Sequence, residues 1–175
     1  MTTIAYDCKS LVSDSRSCIG SMIYEEDCQK IYPDVGPFVV LGIAGDLQDA
    51  MDIIDAISTF TTLDQIRSID YNVTKWHAAI IGITANGSVW HYVGEDSFEL
   101  RPDIPFALGS GAVYALAAMD LGKTAEEAVK YASTRDLYTN EVTQVATLLS
   151  HEETDEDTNE DEDTEEEKCA QYTEH

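Results

Sequence analysis

The chain has 175 residues, 43% of them hydrophobic, and a formal net charge of −24. That length suits one domain with a real core. The acidic excess opposes nucleic-acid binding, where counterion release needs cations facing phosphates, and no apolar run of about 18 residues offers a membrane span.

Taken in chain order, the predicted elements begin at once. Thr3–Tyr6 and Leu11–Ser13 read as a short strand pair, and Met22–Tyr24 as a further strand. Gly36-Pro37 introduces a continuous apolar run, Phe38–Ala44, read as a buried strand. Asp46 to Ser58 is predicted helical, with Asp46 capping its start and Leu47, Met51, Ile54 and Ile57 on one face. Leu63–Ile69 reads as a shorter helix. Trp76–Thr84 and Ser88–Val93 flank Asn86-Gly87, a strong two-residue hairpin signal. An Ala-rich helix follows from Ser110 to about Leu121, stopped by Gly122. A second helix runs from about Thr124 to Thr134, opened by a Thr124/Glu127 capping box. Val142–Leu149 closes the series as a strand. Strands on both sides of paired helices, mostly joined by hairpins, predict an α+β layered sandwich over residues 1–150.

Residues 151–175 are a low-complexity acidic segment with 13 acids against one Lys, so they carry half of the net charge. Such a segment cannot bury enough apolar surface to offset its ordering entropy and is expected to form a disordered tail. Asp155, Asp157, Asn159, Asp161, Asp163 and Glu166 stand at EF-hand ligand offsets. Glu160, however, replaces the glycine that the loop needs, and no apolar helices flank it, so no calcium site is expected.

Asp7 and Lys9 interrupt the start of the chain and no apolar h-region follows, so no signal peptide is expected. The four cysteines (Cys8, Cys18, Cys28, Cys169) contain no CxxC pair and read as reduced thiols of a cytoplasmic protein. The sequon Asn72-Val73-Thr74 is then without consequence. His77 and His91 each follow a Trp and read as strand-face packing, because a zinc site needs more ligands at regular spacing. Neither a metal nor a cofactor is expected.

The N-terminus carries the chemical signal. If Met1 is removed, Thr2 presents a free amine and a hydroxyl on one residue, which is a nucleophile with its own base. The α-amine titrates at about 7.7–8.0, close to working pH. With Met1 in place that amine is an amide and the base is gone.

Six motifs then occur in series: TTIAYD from Thr2, VSDSR from Val12, QKI from Gln29, GIAG from Gly42, GSGAVYALAAMD from Gly109 and RDLYT from Arg135. Their order resembles that of proteasome β subunits and of the bacterial HslV peptidase subunit, over nearly all of residues 2–145. That family consists of N-terminal nucleophile (Ntn) hydrolases with a four-layer αββα sandwich. The resemblance implies a threonine endopeptidase subunit in homo-oligomeric stacked rings, acting on peptides or unfolded proteins and served by an ATP-dependent unfoldase. It implies Thr2 as nucleophile, Asp14 and Lys30 as the charged pair beside it, and Gly45 as the backbone donor of the oxyanion hole. It also implies Ser110, Asp136 and Thr139 as the group that orients Thr2 and its amine. A Lys near Thr2 would favour the deprotonated hydroxyl and lower the amine's pKa.

The chain departs from the family pattern in a shorter Thr2–Asp14 hairpin, a compact Ser110–Asp136 stretch, and Asn140-Glu141 where Gly-Gly is usual. Two other functions fit the residues: a catalytically inactive ring or scaffold protein of this fold, and a decoy whose acidic tail occupies a basic partner. Cys28, two residues before Lys30, is expected near the active site and sensitive to thiol reagents.

Overall fold

The computed structural model describes residues 2–67, 77–93 and 96–148. The acidic tail, the sequon, Trp76, and the ends read for the helix at Ile69 and for the strand at Leu149 lie outside them. Eleven strands and four helices are described: β1 (Thr3–Tyr6), β2 (Ser10–Asp14), β3 (Ser17–Ile19), β4 (Met22–Glu25), β5 (Ile31–Val35), β6 (Phe38–Gly45), α1 (Leu47–Ser58), α2 (Leu63–Arg67), β7 (Ala78–Thr84), β8 (Val89–Val93), β9 (Asp96–Leu100), β10 (Phe106–Gly109), α3 (Ala112–Asp120), α4 (Ala125–Ser133) and β11 (Thr143–Thr147). Among the described residues, no helix is long and apolar enough to cross a membrane.

Two antiparallel sheets organise these elements. One has the order β10-β1-β2-β11, the other β5-β6-β7-β8-β9, and β3 pairs with β4 in a separate ribbon. Strand alternation explains what covers each face. In β1, Ile4 and Tyr6 point towards the five-stranded sheet and join Leu11, Leu108, Ile31, Val40, Ile81 and Ile83 in a core between the sheets. Ala5 points the other way, with Val12, into a small-residue core under α3 and α4 built from Ala115, Ala118, Ala125, Ala128 and Ala132. A third core packs α1 and α2 against the far face of the five-stranded sheet, through Phe38, Leu41, Ile43, Ile53, Ile57 and Ile66. Phe38 shares a side with Leu41 and Ile43 because the register shifts between Phe38 and Val40, which inserts one extra residue.

The structure corrects several expectations. The buried face of α1 is Ala50, Ile53 and Ile57, whereas Leu47 and Met51 are exposed. Reading the largest apolar residues as the core face rotated the helix, and the small Ala50 hid the true seam. The Ala-rich helix starts at Ala112, two residues after the expected start at Ser110, with Gly111 as N-cap and no side-chain cap. The predicted strand at Met22 pairs with β3, which has only three residues. The strand β5 was not anticipated. It contains Pro33, tolerated because β5 is an edge strand. By contrast, Asp46 caps α1 through the N–H groups of Gln48 and Asp49, and the Thr124/Glu127 capping box forms as read.

Candidate active site

Strand register sets the first part of the site. Ile4 lies opposite Ser13 across the β1–β2 pair, so the start of β1 reaches the end of β2. There the Thr3 N–H donates to Asp14 Oδ1 at 2.8 Å. Asp14 is fully buried, and a buried carboxylate must be paired. Lys30 Nζ supplies the counter-charge at 2.9 Å, while the Arg16 N–H donates to Oδ2 at 3.0 Å. Lys30 Nζ also donates to the Arg16 carbonyl at 2.6 Å. Burial lowers the pKa of Lys30, and the Asp14 carboxylate opposes that shift by favouring the ammonium.

Thr2 is buried at the threshold of β1. Its carbonyl accepts the Ser110 N–H at 2.7 Å, which fixes it against the end of β10. Gly109 permits this approach. Its φ is +94°, and a Cβ there would lie 1.8 Å from the Thr2 carbonyl oxygen.

On this side a chain of hydroxyls converges on one carboxylate oxygen. Ser110 Oγ donates to Asp136 Oδ2 at 2.7 Å and Thr139 Oγ1 donates to the same oxygen at 2.6 Å. Thr3 Oγ1 lies 2.6 Å from Thr139 Oγ1. Because the Thr139 proton is committed to Asp136, Thr3 is the donor in that contact. The structure therefore brings Ser110, Asp136 and Thr139 together, and links them to Thr3 by side chain and to Thr2 by backbone.

Thr2, Lys30 and Gly45 line one cleft of about 780 Å³, walled by Tyr24, Leu47 and Met51. Gly45 ends β6 just before the α1 cap. A Cβ there would stand 2.4 Å from the His77 carbonyl oxygen, so the position excludes every side chain. The apolar residues that α1 leaves exposed are the ones that face this cleft. Cys28 and Cys18 also line it, and burial pushes the Cys28 thiol pKa up. His77 stands at the cleft, while His91 packs on Phe106 with ring centroids 4.9 Å apart.

Several participants carried no local signal. Gln144 on β11 accepts the N–H groups of Lys30 and Ile31 at 2.9 and 3.2 Å and donates to the Cys28 carbonyl at 2.8 Å. It thereby holds the segment that delivers Lys30. Thr3, Glu26 and Asn140 are the other residues that sequence reasoning left without a role. The one available sign for Asn140 was that it replaces a glycine of the family pattern.

No family model matches the chain, and no curated protein matches it in sequence. The fold does have a counterpart among solved structures. The crystal structure of eukaryotic HslV from Trypanosoma brucei is similar at a TM-score of 0.64, with 20% sequence identity, over 83% of this chain and 97% of that one. The chain thus has an HslV-like α+β fold.

Proposed function

We propose that the chain is a proteasome-like threonine endopeptidase subunit, with its helices and two sheets stacked as the four-layer αββα sandwich of Ntn hydrolases. The observation that supports this reading best is that Lys30, paired with the buried Asp14, lines the same cleft as Thr2. A buried ion pair is no efficient source of stability, since desolvation offsets its attraction. At a nucleophile it has a use.

The residue before Thr2 must be removed to free the amine. The Lys30 charge then disfavours protonation of that amine and favours the deprotonated Thr2 hydroxyl. Thr2 Oγ1 attacks the scissile carbonyl carbon and its proton passes to the α-amine, directly or through a water. The Gly45 N–H, beside the α1 N-terminus, stabilises the oxyanion. Collapse of the tetrahedral species breaks the C–N bond. The leaving amine takes the proton, and an ester remains on Thr2. Water, deprotonated by the Thr2 α-amine, hydrolyses that ester, returns the proton to Thr2 Oγ1 and restores the enzyme. Ser110, Asp136 and Thr139 orient Thr2 through the hydroxyl chain and the Ser110–Thr2 backbone bond.

The same reading places the protein in the cytoplasm, in homo-oligomeric stacked rings that enclose the cleft, with unfolded protein as substrate and an ATP-dependent unfoldase as partner. Residues 1–150 form the peptidase, so removal of the acidic tail, residues 151–175, leaves peptide hydrolysis intact. The test is hydrolysis of a fluorogenic peptide amide by wild type and Thr2→Ala. Wild type should turn over, and the variant should lose at least about a thousandfold. Equal rates would overturn the assignment of Thr2.

A further inference from the structure

Asn140 is buried, and its carboxamide is fully engaged. Oδ1 accepts the Ser15 N–H at 2.9 Å. The two Nδ2 hydrogens go to the Glu26 carbonyl at 2.9 Å and the Glu26 carboxylate at 2.8 Å. The acceptor faces only donors, the Ser15 hydroxyl also standing 3.4 Å from it, and the two donors face two acceptors. Among side chains of this size only an amide satisfies that pattern.

The grip falls on both segments that carry the charged pair. Ser15 follows Asp14, and its carbonyl accepts the Cys28 N–H at 2.8 Å on the way to Lys30. The Glu26 carboxylate takes the fork of Arg16 at 3.1 and 3.2 Å, and the Arg16 carbonyl is the one that receives Lys30 Nζ. Arg16 in turn donates to the Leu137 carbonyl at 2.9 Å. Asn140 follows Thr139, in the same five residues that supply Asp136. One short segment therefore meets the hydroxyl chain through Asp136 and Thr139, and the ionic pair through Asn140.

We propose that Asn140 is a positioning residue for peptide hydrolysis: by clamping Ser15 and Glu26 it fixes the Asp14–Lys30 pair relative to Thr2 and to the Asp136–Thr139 group. The inference rests on the peptidase reading above. It separates positioning from simple stabilisation, because misplacing the Lys30 ammonium slows reaction of Thr2 while Leu47 and Met51, the α1 residues that wall the cleft, keep their places. Misplacement by about 1 Å can cost about a hundredfold in rate.

The test uses the full chain and a peptide epoxyketone, following Thr2 modification by intact mass at temperatures where each variant is folded. Asn140→Asp keeps size and acceptor but sets a carboxylate against Glu26. It should lower the maximal inactivation rate at least about tenfold and leave the half-saturating inhibitor concentration within about twofold. Adding Glu26→Gln should restore at least about threefold of the loss, because the amide introduced by the second substitution can donate to the carboxylate introduced by the first. Glu26→Ala alone, at a solvent-facing position, should slow inactivation about threefold and serves if Asn140→Asp does not fold. Maximal rates within about twofold of wild type for the variants that fold, or a loss confined to inhibitor affinity, would overturn the role of Asn140 alone. A wild type that begins at Thr2 and does not react would overturn the peptidase reading and this inference with it.

Discussion

Two neighbouring hairpins meet at the cleft and differ in almost every physical respect. The β1–β2 hairpin is buried on both faces, with Ile4, Ala5, Leu11 and Val12 essentially inaccessible. Its register with β10 and β11 sets the positions of Thr2, Thr3 and Asp14. The β3–β4 hairpin is exposed from Ile19 through Glu25, with Ile19, Met22 and Tyr24 each at least 60% accessible. It is anchored at its base by the Arg16–Glu26 pair and by Asn140. On the proposed peptidase reading, Thr2 and Asp14 belong to the buried hairpin, and the wall that meets substrate belongs to the exposed one. Precision and adaptability are thereby kept in separate strands of the same site.

The sharpest way to break this contrast is at Asp14. Asp14→Ala leaves the Lys30 ammonium buried without its carboxylate and should cost about 3–5 kcal/mol, read as a large fall in melting temperature. An unchanged melt would show that the pair is not structurally buried. Leu11→Ala, in the core between the sheets, should cost about 2–5 kcal/mol in urea denaturation. On the other hairpin, Tyr24→Ala should stay within about 0.5 kcal/mol of wild type. It should instead raise KM for peptides with large apolar side chains while leaving kcat unchanged. A kcat effect without a KM effect would contradict the division of labour.

A last effect shows itself only at high pH. Burial, aided by the nearby Cys8, Asp7 and Asp103 charges, pushes the Tyr6 hydroxyl up to about 12 from 10.0. Its folded pKa is raised, so its contribution is complete below pH 10 and is lost as pH climbs towards 12. The urea midpoint should fall across that window, and less steeply in Tyr6→Phe.

The parts of the fold legible in sequence were those with a local cause. The Phe38–Ala44 run, the Asn86-Gly87 turn and the Thr124/Glu127 box each specify their element within a few residues. The α1 face misled because Leu47 and Met51 are apolar for the cleft and not for the core. The strand β10 was missed because its partner β1 lies about a hundred residues away; β9 is polar at three of its five positions, and in β5 Pro33 argues against a strand unless its edge position is known. The site divides in the same way. Asp14, Lys30, Gly45, Ser110, Asp136 and Thr139 were named through motif order, and the structure gathers them around Thr2 and Thr3. Asn140 and Gln144 act on backbone groups more than a hundred residues away, and no local pattern announces such a bond.

The most direct measurement is the intact mass of the purified full-length chain, before and after a peptide epoxyketone. That reagent needs both the hydroxyl and the free amine of one N-terminal Thr to close its ring. A working Thr2 nucleophile gives a mass lacking Met1 and then one adduct per chain, lost in Thr2→Ala. A chain that begins at Thr2 and takes up no adduct would contradict the peptidase reading.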